Sequence, residues 1–173
     1  ALLRDGLYGV CSQESRELAA NMDRVLQDQV LELARLHNLF PLLAQQMLLL
    51  NPPGLPREAV RSITIQALAR QTVATQELLA LTQALERAAV PALVVKGAVC
   101  RSLYPTPDLR PSSDEDILIR PEDLARAEEV FRQRGYSLQE EGDPGEAVRT
   151  WCAPGLRVEL HRSLCGDLTV AGH

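Results

Sequence analysis

The stretch Asp114-Glu115-Asp116-Ile117-Leu118-Ile119 decides our prediction of the fold. Three branched apolar residues after three acids predict a short buried strand with carboxylates at its start. Because side chains alternate along a strand, we expect Asp114 and Asp116 on one face. Two carboxylates so close repel each other unless they share a cation, and Mg²⁺ prefers such oxygen ligands together with substrate phosphates. A solvated strand end gives the same letters, so the stretch alone leaves both interpretations open.

A second informative stretch lies upstream and combines a strand with a turn. Residues 92–95 are apolar and valine-rich, which predicts a buried strand, and Lys96-Gly97 then opens a short helix expected to end near Leu103. Glycine lets a phosphate approach the backbone N–H groups at a helix start. Lys96, the single lysine among 18 basic residues, adds a point charge. Lys-Gly is also an ordinary turn, so phosphate binding is one of two interpretations here.

A third stretch, Val158-Glu159-Leu160-His161, predicts the end of a strand that spans Leu156–His161. Glu159 faces away from its apolar neighbours. If this strand lies beside the Asp114–Ile119 strand, Glu159 completes a carboxylate triad; if it is an edge strand, Glu159 faces solvent. His161 shares the face of Glu159, where it either touches the site or has a structural role.

The rest of the chain predicts an α+β fold, with a helical region over residues 1–90 that packs on a core over residues 91–173. Apolar spacing predicts helices over Glu14–His37, Phe40–Leu50 and Pro56–Ala88. The core pattern is β-α-β-α-β-β-β, a mixed sheet flanked by helices. The first predicted helix should bury one apolar stripe, formed by Leu18, Met22, Val25, Leu26, Val30, Leu33 and Leu36. The other core elements are predicted at Glu122–Arg134 (helix), Tyr136–Gln139 and Val148–Trp151 (strands), and residues 140–145 (turn).

Composition limits the classes of function. The chain has 173 residues, of which 46% are hydrophobic, which suits one domain or one domain with a helical extension. A net charge of −5 disfavours a broad nucleic-acid surface, although a few arginines are enough to hold a tRNA end. No apolar run approaches the about 20 residues of a membrane span, and no signal peptide is visible. Four cysteines without a CxxC pair predict free thiols, so we expect a cytoplasmic protein.

The order and spacing of these motifs resemble a known family, over roughly Pro91 to Leu164. The chain is similar to the bacterial uncharacterised nucleotidyltransferases, a group within the polymerase-β-like nucleotidyltransferase superfamily. The resemblance implies a small nucleotidyltransferase core, a nucleoside triphosphate (NTP) as substrate, and two Mg²⁺ ions. The residues that carry it are Leu93-Val94-Val95-Lys96-Gly97-Ala98, Leu103-Tyr104-Pro105, residues 109–119, Gly135-Tyr136 and Val158-Glu159-Leu160-His161.

The resemblance also implies roles for individual residues. The implied reaction is in-line attack of a hydroxyl on the α-phosphate of the NTP, with release of pyrophosphate. The acceptor would be a small molecule, a tRNA end or a protein side chain. Metal binding and catalysis would fall to Asp114, Asp116 and Glu159, and nucleotide binding to Lys96, Gly97, Arg110 and Ser113.

Two positions depart from the superfamily pattern. Lys96-Gly97 stands where Gly-Gly or Gly-Ser is more common, and Glu115 stands where an apolar residue is usual. We expect Glu115 either to join the ligand set or to face solvent. These departures motivate an alternative function, a non-catalytic nucleotide-binding or partner-binding module with a degenerate or truncated transferase core. In that alternative the helical half docks a partner.

Overall fold

The computed structural model describes residues 1–139 and 148–163. The chain divides into two compact units. One unit comprises Ala1–Thr72 with Cys100–Ser112, and the other comprises Val73–Val99 with Ser113–His173. The predicted boundary between residues 90 and 91 stays a prediction. The turn predicted at residues 140–145 lies outside the described residues.

Helices build the first unit, and Phe40–Leu50 forms a helix with the predicted bounds. The predicted long helix Pro56–Ala88 is observed as Arg57–Arg87 and contributes residues to both units. The N-terminal helix was not predicted, because only seven residues with an internal glycine give too weak a pattern. The helices are α1 (Leu2–Tyr8), α2 (Gln13–Asn21), α3 (Arg24–Leu36), α4 (Phe40–Leu50) and α5 (Arg57–Arg87).

The prediction of a single helix over Glu14–His37 is wrong. Met22 adopts an extended backbone conformation, and the Asp23 carboxylate accepts a hydrogen bond from the backbone N–H of Leu26 at 2.8 Å, which starts a new helix. The break resets the phase of the apolar stripe, so most of the predicted stripe is exposed. Exposed members are Leu18, Val25, Leu26, Leu33 and Leu36, whereas α2 and α3 bury Ser15, Ala19, Gln27, Leu31 and Ala34.

The second unit contains a mixed sheet, which confirms the predicted α+β class and strand order along the chain. In the described residues its spatial order is β1-β2-β5-β4-β3, with β2 and β5 parallel and the other pairs antiparallel. The strands are β1 (Ala92–Val95), β2 (Glu115–Ile119), β3 (Ser137–Gln139), β4 (Val148–Ala153) and β5 (Leu156–His161). Helix α6 (Gly97–Arg101) contributes residues to both units, and α7 (Leu124–Gln133) lies in the second. A 3-10 turn at Pro107–Leu109 belongs to the first unit, and one at Pro121–Asp123 belongs to the second.

The core of this unit lies between the sheet and the apolar faces of α5 and α7. Trp151 and Tyr136 are core residues, as predicted, and both contact the Phe131 ring, at centroid distances of 5.2 and 5.1 Å. The fully or nearly fully buried side chains include Leu81, Leu85, Ile117, Ile119, Ala127, Val158 and Leu160. This packing fixes the two parallel strands that carry the acidic residues.

Two further predictions concern the whole chain. Among the described residues, no helix has both the length and the apolar character that crossing a membrane requires. Cys11, Cys100 and Cys152 are free thiols, as predicted, and Cys165 lies outside the described residues.

Candidate metal and nucleotide site

Parallel pairing of β2 and β5 brings two predicted site residues together. Asp116 and Glu159 are register partners on the neighbouring strands. Side chains of register partners project from the same face of a sheet. The predicted adjacency of Glu159 and the acidic strand is therefore confirmed, and the edge-strand alternative is wrong because β5 lies between β2 and β4.

Asp116 is the centre of the site. Its side chain is 6% exposed, and its Oδ1 atom accepts hydrogen bonds from Lys96 Nζ at 3.1 Å and His161 Nε2 at 2.8 Å. Lys96 reaches it because antiparallel pairing places Val95, the last residue of β1, opposite Asp116. One buried carboxylate oxygen thus faces both a flexible ammonium and an imidazole nitrogen.

Lys96 is held electrostatically and remains accessible. Its side chain is 69% exposed. The hydrogen bond that Lys96 donates to Asp116, reinforced by the negative charges of Asp116, Glu159 and Asp114, raises the pKa of Lys96 above its ordinary value, so the ammonium stays charged at neutral pH. Its backbone φ of 49° is unusual for a residue other than glycine. Such conformations often mark functional sites, which is consistent with the predicted role of Lys96.

Glu159 and His161 complete the group. Glu159 Oε2 lies 3.8 Å from His161 Nε2, and Glu159 Oε1 lies 3.7 Å from an Arg157 guanidinium nitrogen. One ligand atom each from Asp116, Glu159 and His161 lie within 4.8 Å of one another. An ion with bonds of about 2.1 Å separates its ligands by about 3 to 4 Å, so this donor set fits a single divalent cation after small side-chain adjustments. His161 thus contacts the predicted site residue Asp116, and whether its role is chemical or structural stays a prediction.

Glu115 contradicts both sequence-based expectations. Its side chain is buried, so it does not face solvent, and it belongs to the opposite side of β2 from Asp116. Glu115 Oε2 accepts a hydrogen bond from the Ala98 backbone N–H at 2.7 Å. A Cβ atom on Gly97 would lie 2.2 Å from the same oxygen. A side chain at position 97 would therefore displace the Glu115 carboxylate from its place at the first turn of α6.

Alternation along the strand contained a signal for this position. Ile117 and Ile119 are buried, and Glu115 shares their side of β2. An acid on the interior side of a buried strand needs an internal donor, and the nearby turn at Gly97 supplies one. The Ala98 N–H is one of the helix-start donors that the sequence predicts to face a phosphate, and it already binds this carboxylate.

Three other predicted site residues lie outside the Asp116–Glu159–His161 group. Asp114 precedes β2, which begins one residue later than predicted, and Asp114 is not part of the Asp116–Glu159–His161 group. Its charge does help to raise the pKa of Lys96. Ser113 is exposed, and Arg110 follows the Pro107–Leu109 turn in the first unit. The metal role of Asp114 and the phosphate roles of Arg110 and Ser113 stay predictions.

Comparison with known proteins tests the resemblance independently of this geometry. No curated protein matches the chain. Residues 23–171 match a family described as uncharacterised nucleotidyltransferases. The match begins at Asp23, so it includes most of the helical region as well as the sheet. This extent confirms the family prediction, and the chain therefore belongs to the uncharacterised nucleotidyltransferase family.

Proposed function

We propose that the chain transfers a nucleoside monophosphate from an NTP to a hydroxyl acceptor and releases pyrophosphate. The observation that supports this most is the convergence of Asp116 and Glu159 on one face of two parallel strands, beside Lys96 and His161. Family membership supplies the reaction class. The metal dependence, the site residues and the acceptor are our proposal.

Different side chains would bind the metal ions and the phosphates. Asp116 and Glu159, with Asp114 as a further predicted ligand, would hold one or two Mg²⁺ ions. Bound Mg²⁺ would neutralise charge on the triphosphate and polarise the attacking hydroxyl. Lys96, whose side chain is largely exposed, would turn from Asp116 towards the phosphates, and Arg110 and Ser113 would contribute further phosphate contacts. Gly97 would act indirectly, by allowing Glu115 to fix the turn from which Lys96 projects.

Glu159 is our candidate for the general base. Asp116 Oδ1 already accepts two hydrogen bonds. The Glu159 oxygens lie 3.7 Å from an Arg157 guanidinium nitrogen and 3.8 Å from His161 Nε2, distances longer than hydrogen bonds. Glu159 is also more exposed than Asp116. The acceptor oxygen would bond to the α-phosphorus, its proton would pass to a Glu159 carboxylate oxygen, and the bond from the α-phosphorus to the bridging oxygen would break.

The acceptor class is open to direct experiment. A net charge of −5 gives no support to a broad nucleic-acid surface, so small molecules and proteins come before a tRNA end in our proposal. We would incubate the protein with Mg²⁺ and each of four α-labelled NTPs, adding metabolite pools, total RNA or cell lysate. We expect label in one acceptor fraction together with stoichiometric pyrophosphate. Absence of both with every acceptor would overturn the proposal.

One observation favours a second candidate, a non-catalytic nucleotide-binding module. Lys96 already neutralises Asp116, so the site has an internal cation of its own. In such a module the ammonium would stay on Asp116, and nucleotide binding would not depend on Mg²⁺. Mg²⁺-independent NTP binding without pyrophosphate release would support the module, and steady pyrophosphate release would rule it out.

A further inference from the structure

We propose that His161 is a direct nitrogen ligand of the ion held by Asp116 and Glu159, and that the site therefore binds Mn²⁺ more tightly than Mg²⁺. This inference deepens the proposed function and rests on its metal site. The sequence-based ligand set contained carboxylates only. A nitrogen donor changes the class of ion that the site selects.

The position of His161 follows from the strand. Glu159 and His161 are two residues apart in β5, so their side chains leave the same face of the sheet. His161 Nε2 lies 2.8 Å from Asp116 Oδ1 and 3.8 Å from Glu159 Oε2. Neighbouring ligands on one ion lie about 3 Å apart when the bonds are about 2.1 Å long. The nitrogen thus lies at coordinating distance from a position between the two carboxylates.

Burial and ring chemistry are compatible with coordination. The His161 side chain is 13% exposed, so the ring is held by its surroundings. A hydrogen bond to the Asp116 carboxylate requires a proton on Nε2, whereas coordination requires the Nε2 lone pair, with the ring proton on Nδ1. Coordination of an ion by Nε2 would therefore replace this hydrogen bond.

The donor set predicts the preference between ions. Mg²⁺ is hard, prefers oxygen ligands and keeps several of its waters. Later first-row divalent ions accept imidazole more readily, and oxygen ligands also suit Mn²⁺. A site with two carboxylates and one imidazole therefore favours Mn²⁺ over Mg²⁺. If His161 only donated a hydrogen bond to Asp116, the two ions would differ far less.

The experiment titrates Mn²⁺ alone and Mg²⁺ alone into the wild-type chain, His161→Gln and His37→Gln. Glutamine can still donate a hydrogen bond to Asp116 but is a poor ligand, and His37, at the end of α3, controls for loss of a histidine. We expect His161→Gln to weaken Mn²⁺ binding by about 10-fold to 100-fold and Mg²⁺ binding by less than about threefold. We expect His37→Gln to match wild type.

A second measurement does not depend on the variant folding. Electron spin-echo modulation of Mn²⁺ bound to the wild-type chain should contain the signal of a coordinated imidazole nitrogen. Absence of that signal, or an unchanged ratio of Mn²⁺ to Mg²⁺ affinity in folded His161→Gln, would overturn the inference. Binding of neither ion would overturn both the inference and the metal site of the proposed function. The nitrogen signal without nucleotidyl transfer would keep the inference and overturn the proposed function.

Discussion

The two sides of strand β2 carry the same chemical group in different surroundings. Glu115 and Asp116 are adjacent and almost equally buried, with 1% and 5% of the whole residue exposed. Glu115 binds a backbone N–H of α6, a partner that the fold holds in place. Asp116 binds Lys96, whose side chain is 69% exposed, and His161.

This contrast shows that burial alone does not identify a functional acid. A carboxylate that accepts a hydrogen bond from a fixed backbone amide contributes to the fold, and a metal ion does not readily replace that amide. A carboxylate whose main cation is a flexible, exposed ammonium can exchange that cation for a metal ion or a substrate-bound metal. We therefore assign a structural role to Glu115 and propose a chemical role for Asp116.

The largest expected effect is a difference in nucleotidyl transfer between variants of these two acids. Asp116→Asn keeps the shape of the side chain but removes its charge, so we expect nucleotidyl transfer to fall by about 1,000-fold or more, since metal-based stabilisation is worth several kcal/mol. Glu115→Gln keeps an acceptor for the Ala98 N–H and should retain activity within about threefold. Pyrophosphate release at saturating NTP measures both. Equal losses in the two variants would contradict the contrast.

The next effect is a loss of stability when a side chain is placed against Glu115. Gly97→Ala places a Cβ atom 2.2 Å from Glu115 Oε2, so we expect the free energy of unfolding to fall by about 2 kcal/mol. In a Glu115→Ala background the nearest remaining atom is the Asp114 carbonyl oxygen at 3.2 Å, so the same change should cost less. Urea unfolding of the four proteins gives the coupling, which we expect to exceed about 1 kcal/mol. Additive losses would mean that the carboxylate is not the obstacle.

A smaller effect tests whether the cation on Asp116 is exchangeable. Lys96→Met removes the ammonium 3.1 Å from Asp116 Oδ1, so Mg²⁺ alone should bind about twofold to fivefold more tightly. NTP affinity measured with Mg²⁺ should fall, because the phosphate contact is lost. Arg87→Met, at the end of α5, controls for loss of one positive charge. Weaker Mg²⁺ binding in Lys96→Met would contradict exchange.

The smallest effect is a pH dependence. The pKa of Lys96 is raised by Asp116, so its contribution to stability is fully present below the ordinary lysine pKa of about 10.4 and is lost as pH rises through the folded value. Burial, together with Glu77, also raises the pKa of Tyr136, so every variant loses stability above about pH 10. The stability difference between wild type and Lys96→Met should be constant from about pH 7 to 9 and shrink above that range. A difference that grows at alkaline pH would contradict the pairing.

Much of the fold follows from local patterns in the sequence. Alternation and apolar runs are properties of a few neighbouring residues, and they predict Ala92–Val95, Leu156–His161 and the start of β2 to within one residue. The chain breaks at Met22 because Asp23 caps a new helix. The apolar spacing does not show whether such a cap prevails over continuation of the first helix. Local patterns therefore predict where helices and strands lie better than they predict which face of a helix is buried.

The candidate site is partly predictable for the same reason. Spacing and resemblance select Asp116, Glu159 and Lys96, and the strand pairing that brings them together depends on tertiary structure. The role of Glu115 depends on its meeting the start of α6, a contact between residues 17 positions apart. The position of the His161 nitrogen beside Asp116 could not be predicted without knowing the register of β2 with β5.

The most direct test of the central claim is calorimetric titration of ATP, CTP, GTP and UTP, with and without Mg²⁺, into wild type, Asp116→Asn and Glu115→Gln. We predict Mg²⁺-dependent binding of at least one nucleotide by wild type and Glu115→Gln, and its loss in Asp116→Asn. Binding that survives in Asp116→Asn, or that needs no Mg²⁺, would contradict the claim that Asp116 is the metal-binding acid of this nucleotidyltransferase.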